Sequence, residues 1–198
     1  QNAQMRMYEQ ILPKIYPDGN AYGNRMPIGL MEVVDNFPPE VLRAYYEKWY
    51  RPDLQGIVIV GDIDVDSIES KIKDIFGPIR MPENPAPYEF YPVPDNEEGI
   101  YVVDKDPELQ SVMIELFFKS EPMPIEMNNT VLRLVNDYMT YVVSSCMNAR
   151  FNELSQKPDC PFVVAQFGYG TFLLSKTMDS FELAVLPKPG QDEAAIQA

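Results

Sequence analysis

The chain has 198 residues, 45% of them apolar, and a formal net charge of −14. That length and composition suit one larger domain, or two small ones, with a full apolar core. The charge argues against binding nucleic acid phosphates or anionic membrane surfaces, and no apolar run is long enough for a membrane-spanning helix.

Met5–Leu12 reads as a short helix, followed by the turn-rich loop YPDGNAYGNRMPIG, with glycines at 19, 23 and 29. A helix begins after Pro38-Pro39, where proline's missing N–H would have had no partner. Val41, Tyr45 and Trp49, with Leu42 and Tyr46 beside them, form a core-facing stripe, and Pro52 ends the helix near Tyr50. Ile57–Val60 is a β-branched run that suits a strand covered on both faces. Asp64 caps a second helix, whose buried stripe is Val65, Ile68, Ile72, Ile75 and Phe76 and which Gly77-Pro78 closes.

Five prolines within Pro82–Pro94 make an extended connector. Gly99–Asp104 is a short predicted strand. Leu109–Lys119 is a second, with Val112, Ile114, Leu116 and Phe118 on one face. Asn128–Gln156 is the longest helical pattern, capped by Asn128, with Val131, Val135, Tyr138, Met139 and Val142 as its apolar face. The weak helix formers Val142–Cys146 predict a kink or break. Phe162–Gly168, Thr171–Leu174 and Phe181–Leu186 read as strands, and a helix starts near the end of the chain. The order of elements implies an α+β fold: a mainly antiparallel or mixed sheet with helices packed on one face.

The chemistry is sparse. No histidine is present, which excludes His-based triads and His-containing zinc sets within this chain. The two cysteines, Cys146 and Cys160, are expected to be buried free thiols. Asp62, Asp64 and Asp66 lack the spacing of a calcium loop, and capping accounts for Asp64. No metal ligand or catalytic residue is assigned.

One ordered set of motifs stands out: Pro27-Ile28-Gly29, a helix ending Trp49-Tyr50-Arg51-Pro52, Val58-Ile59-Val60-Gly61-Asp62-Ile63-Asp64, and Ile75-Phe76-Gly77. The set resembles the pitrilysin and insulysin family of zinc peptidases, which includes the mitochondrial processing peptidase. The match runs over Tyr22–Gly77 and continues more weakly to about Leu186. Catalysis in that family, as the resemblance implies, uses His-x-x-Glu-His and a distant glutamate around zinc. Without histidine, this chain corresponds to the half-domain that follows the metal-binding half. Residues 1–36 would then be the lead-in helix and loop from the catalytic half, and 37–198 the second half-domain, truncated at its C-terminal end within a longer protein. The alternative is a structural or peptide-binding subunit of the same fold with no active partner motif.

The resemblance also implies an arginine and a tyrosine, seven residues apart, that contact substrate from the partner half. Ser155 and Phe162 fall at those positions, one without a cation and the other without a hydroxyl. Arg150 lies nearby and either substitutes or is a surface arginine. These three are the candidate substrate-binding residues. The implied cofactor is zinc in the full-length parent, with no ligand here. The implied partners are the preceding zinc-binding half-domain, a second homologous module and a peptide substrate, with no nucleic acid and no membrane span. Members occur in organelles, cytoplasm and periplasm, so the compartment stays open, with export favoured only by analogy for a bacterial parent.

Overall fold

The computed structural model describes residues 2–198. The chain divides into two compact units: the chain up to Pro27 together with Phe90–Ala198, and Ile28–Glu89.

The larger unit is built on a three-stranded antiparallel sheet of order β1-β3-β2, with β1 Ile114–Ser120, β2 Phe162–Thr171 and β3 Asp179–Pro187. Leu116 and Phe167 both sit opposite Leu183, and the β2–β3 register shifts between Phe162 and Val164. Alternation along the strands sends Ile114, Leu183 and Val185 to one face, where they join Cys160, Phe162 and Ala165 in a core cluster. Helix α6, Val131–Ser155, contributes Phe151 and Leu154 to that cluster, and helix α7, Asp192–Gln197, contributes Ala195. Phe117 points the other way. It packs with Leu12 and Tyr16 of helix α1 (Ala3–Ile15) and its C-cap, and with Val93, Phe172 and Met178. The fold is α+β, an antiparallel sheet packed against helices.

Tyr16 ties the β2–β3 turn. Its hydroxyl donates to the Phe172 carbonyl (3.0 Å) and accepts from the Leu174 N–H (3.1 Å). Between them Leu173 has φ +52°, a left-handed conformation costly for a leucine. Arg6 grips the 104–108 segment: its Nε and Nη2 donate to the two Asp106 carboxylate oxygens at 2.7 and 2.8 Å. Lys14 pairs with Asp104 on the same segment.

The smaller unit holds helices α3 Met31–Asn36, α4 Pro39–Trp49 and α5 Val65–Phe76. (Helix α2, Ala21–Asn24, belongs to the larger one.) The boundaries of α4 and α5 agree with the sequence, and the Asp64 carboxylate accepts from Ser67 N–H at 2.8 Å.

Several sequence expectations are corrected. Ile57–Val60 belongs to no ladder: Val58 is 85% and Val60 91% exposed, while Ile57 and Ile59 are about half covered. A β-branched run needs a neighbouring strand to become a ladder, and none lies beside it among the described residues. Gly99–Asp104 likewise forms no strand; the ion pairs to α1 hold its end instead, and Tyr101 and Val103 are exposed. The stripes of α4 and α5 are largely exposed rather than buried, with only Trp49, Ile68 and Ile72 half-buried. Strand β2 continues to Thr171, so Thr171–Leu174 is strand end and turn. Val93, within the proline-rich connector, is a core residue.

Helix α6 departs most. It runs unbroken for 25 residues, with no break at Val142–Cys146, because a few tenths of a kcal/mol per weak helix former do not outweigh continuous hydrogen bonding and packing on β2. Thr130, not Asn128, is its N-cap, and Asn128 lies in the turn before it. Its expected apolar face, Val131, Val135, Tyr138, Met139 and Val142, is exposed. Cys146 is exposed as well, while Cys160 is buried; both are free.

Candidate functional site

Arg150 is exposed on α6. Ser155, the last residue of that helix, donates its hydroxyl hydrogen to the Asn152 carbonyl at 2.8 Å. Phe162 opens β2 and is 6% exposed, its ring packed among Cys160, Ala165, Val185 and Ala195. So Arg150 faces solvent, Ser155 is half-buried and Phe162 is core.

The donor set of this chain does not fit a zinc ion. The sequence has no histidine, Cys146 is exposed and Cys160 is buried apart from it in the core cluster. Among the described residues, no three of Cys, Asp and Glu gather where they could hold a metal.

The backbone of the sheet offers more. On β2, Asn148 of α6 donates to the Phe167 carbonyl (2.9 Å) and accepts from the Phe167 N–H (2.8 Å). At Phe167 an amide side chain thus stands in for a neighbouring strand. It also fixes the alternation of the whole sheet. Phe167 turns its polar groups away from β3, so Leu183 opposite it turns its own toward β1 and Leu116. Glu115 and Phe117, flanking Leu116, therefore aim their N–H and C=O groups outward. Among the described residues no partner meets them. Strand β1 is an open edge.

Around that edge the charge is mixed. Glu115 titrates above the usual carboxylate range, first because it is desolvated and then because the Glu182 carboxylate is near. Burial also raises Tyr8 on α1, with the same two carboxylates adding to it. Lys119 is pushed down by burial, and its Nζ donates to the Pro94 carbonyl at 3.0 Å. Beyond Ser120 the chain lines a cleft of about 360 Å³ with Pro122, Asn136, Thr140, Tyr169 and Phe181. The Tyr169 hydroxyl donates to Asp179 at 2.9 Å. An open edge beside a cleft can receive an extended chain. The sequence does not say which strand forms this edge, because register, not residue type, decides which amides point out.

Comparison with known proteins identifies the family. Residues 36–157 match the family model described as the peptidase M16 inactive domain. A zinc protease PQQL-like protein of Arabidopsis thaliana is 29% identical over 150 residues, covering 73% of this chain and 15% of that protein. The probable zinc protease PqqL of Escherichia coli is 40% identical over 63 residues, 32% of this chain and 7% of that protein. The crystal structure of the periplasmic protease PqqL from Escherichia coli superposes with a TM-score of 0.74 at 21% identity, over 95% of this chain and 20% of that one. This chain therefore spans a small part of the length of the relatives it matches. By its match over 36–157, and in keeping with its α+β sheet and its lack of histidine, the chain belongs to the peptidase M16 family as its inactive domain.

Proposed function

We propose that this chain is the non-catalytic half of a zinc-dependent endopeptidase module and helps to wall its peptide-binding chamber. The family match carries the reading, since it is to the inactive domain of that family. Zinc and the general base would come from a preceding half-domain of a longer polypeptide, and a second homologous module would close the chamber. In this reading an extended peptide adds to the open edge of β1 through main-chain hydrogen bonds at Glu115 and Phe117. The surplus of 14 negative charges favours basic peptides by steering. Residues 1–36 would be the lead-in from the catalytic half, with 37–198 forming the half-domain. Arg150, five residues before Ser155 on α6, is a cation available to a passing peptide; Phe162 supports the strand from within.

Two measurements test this. The 198-residue chain, titrated with zinc, should take up no stoichiometric equivalent; one tightly held ion would place metal chemistry here and defeat the proposal. The region encoded just upstream should contain His-x-x-Glu-His. Its absence would favour a structural or peptide-binding subunit that kept the fold.

A further inference from the structure

Helix α6 has its polarity reversed with respect to the sheet that it packs on. Its half-buried positions are Arg133, Asn136, Thr140, Ser144 and Asn148, spaced by three or four residues, before Phe151 and Leu154 complete the stripe. The stripe toward β2 is thus polar for two-thirds of its length, and Asn148 shows why: it satisfies backbone groups of β2. The opposite stripe is Val131, Leu134, Val135, Tyr138 and Val142, with Tyr141 at its flank, all exposed. From Tyr138 to Ala149 the helix carries no charged side chain, on a chain with a net charge of −14. Valine, tyrosine and methionine without charge is the composition of an interface centre, and a contiguous apolar face of this kind marks a docking surface.

We infer that this outward stripe of α6 is the seat of the adjoining domain of a longer polypeptide, which meets it with an uncharged apolar face. The inference rests on the reading of the chain as one half of a larger module. Four-fifths of the PqqL chain whose fold includes this one lies outside the matched part, so a covering domain has the chain length to exist. The absence of charge selects an apolar occupant over a charged ligand, and a covalently joined neighbour needs only modest intrinsic affinity.

Cys146, exposed on the flank of the stripe, is a built-in reporter, and buried Cys160 is an internal reference. Maleimide labelling should be fast at Cys146 in the 198-residue chain and at least tenfold slower in the complete polypeptide. Tyr138→Glu in the complete polypeptide should restore fast labelling. As a readout that needs no isolated chain, Cys146 in the complete polypeptide should label at least tenfold slower than a cysteine introduced at the exposed turn by Asp18→Cys. Equal rates in the two contexts, or at the two sites, would overturn the inference. So would a self-dimer of the 198-residue chain that protects Cys146, since the occupant would then be a second copy. A missing His-x-x-Glu-His upstream would defeat the peptidase reading while leaving the labelling contrast intact, so the two failures are distinguishable.

Discussion

Tyr16 shows how much a single hydroxyl holds. The side chain is nearly fully buried, and its oxygen bridges the two sides of a turn whose central residue, Leu173, is left-handed. Removing the oxygen leaves the Leu174 N–H without its partner, while the Phe172 carbonyl keeps the Ser175 N–H. Leu174 is itself exposed, so Tyr16→Phe should cost about 0.5–1.5 kcal/mol, the net worth of one hydrogen bond, measured by urea denaturation. A loss below a few tenths would mean that water replaces the hydroxyl. Arg6 and Asp106 give a pH signature. The hydrogen bond from Arg6, and then the N–H of Glu108, hold Asp106 down to about 2. A folded-state value below the unfolded one near ~4 means that the unfolded chain takes up the proton first. The contribution is present above that unfolded value and is lost as pH falls toward about 2. Arg6→Met should flatten this part of the stability–pH profile; an unchanged profile would assign the acid sensitivity to other carboxylates.

Among the elements, the two sheet edges differ at Phe167, where Asn148 covers the backbone of β2. Asn148→Leu keeps the branched shape but strands the N–H and C=O of Phe167, so about 1–3 kcal/mol of stability should go, with faster hydrogen exchange at Phe167. Exchange at Phe167 that stays slow in the variant would show that the side chain does not close the edge. Strand β1 is open, and here proline discriminates. The Glu115 N–H points away from β3, so Glu115→Pro removes an outward donor without breaking the ladder. If peptides add to this edge, the complete polypeptide carrying that variant should show KM raised by roughly tenfold with kcat changed much less, about 1.4 kcal/mol of ground-state binding. An unaltered KM would put the peptide elsewhere. Helix α6 carries the same lesson about pattern. Its apolar residues recur at helical spacing, yet the stripe that they make points away from the sheet, because β2 presents backbone groups that need polar partners.

For the whole molecule, the sequence by itself determined the helices that have both a start signal and a stop signal. Pro38-Pro39 and Pro52 bound α4, and Asp64 and Gly77 bound α5, because caps and prolines act within a few residues of the backbone that they satisfy. The α+β class and the family were also legible, the first from alternating patterns and the second from an ordered set of short motifs. The lack of histidine removed His-containing zinc sets and His-based triads from the chain before any coordinate was needed. Tertiary structure alone decided which extended runs became strands. Ile57–Val60 and Gly99–Asp104 have the residues of strands but no partner to complete a ladder, whereas Ile114–Ser120 has β3. It also decided which side of α6 is inside and where a side chain covers the backbone of a sheet edge. Periodicity states that a helix has two faces or that a strand alternates. Which face meets the core depends on partners distant in sequence, and pairing is a property of two segments rather than of one.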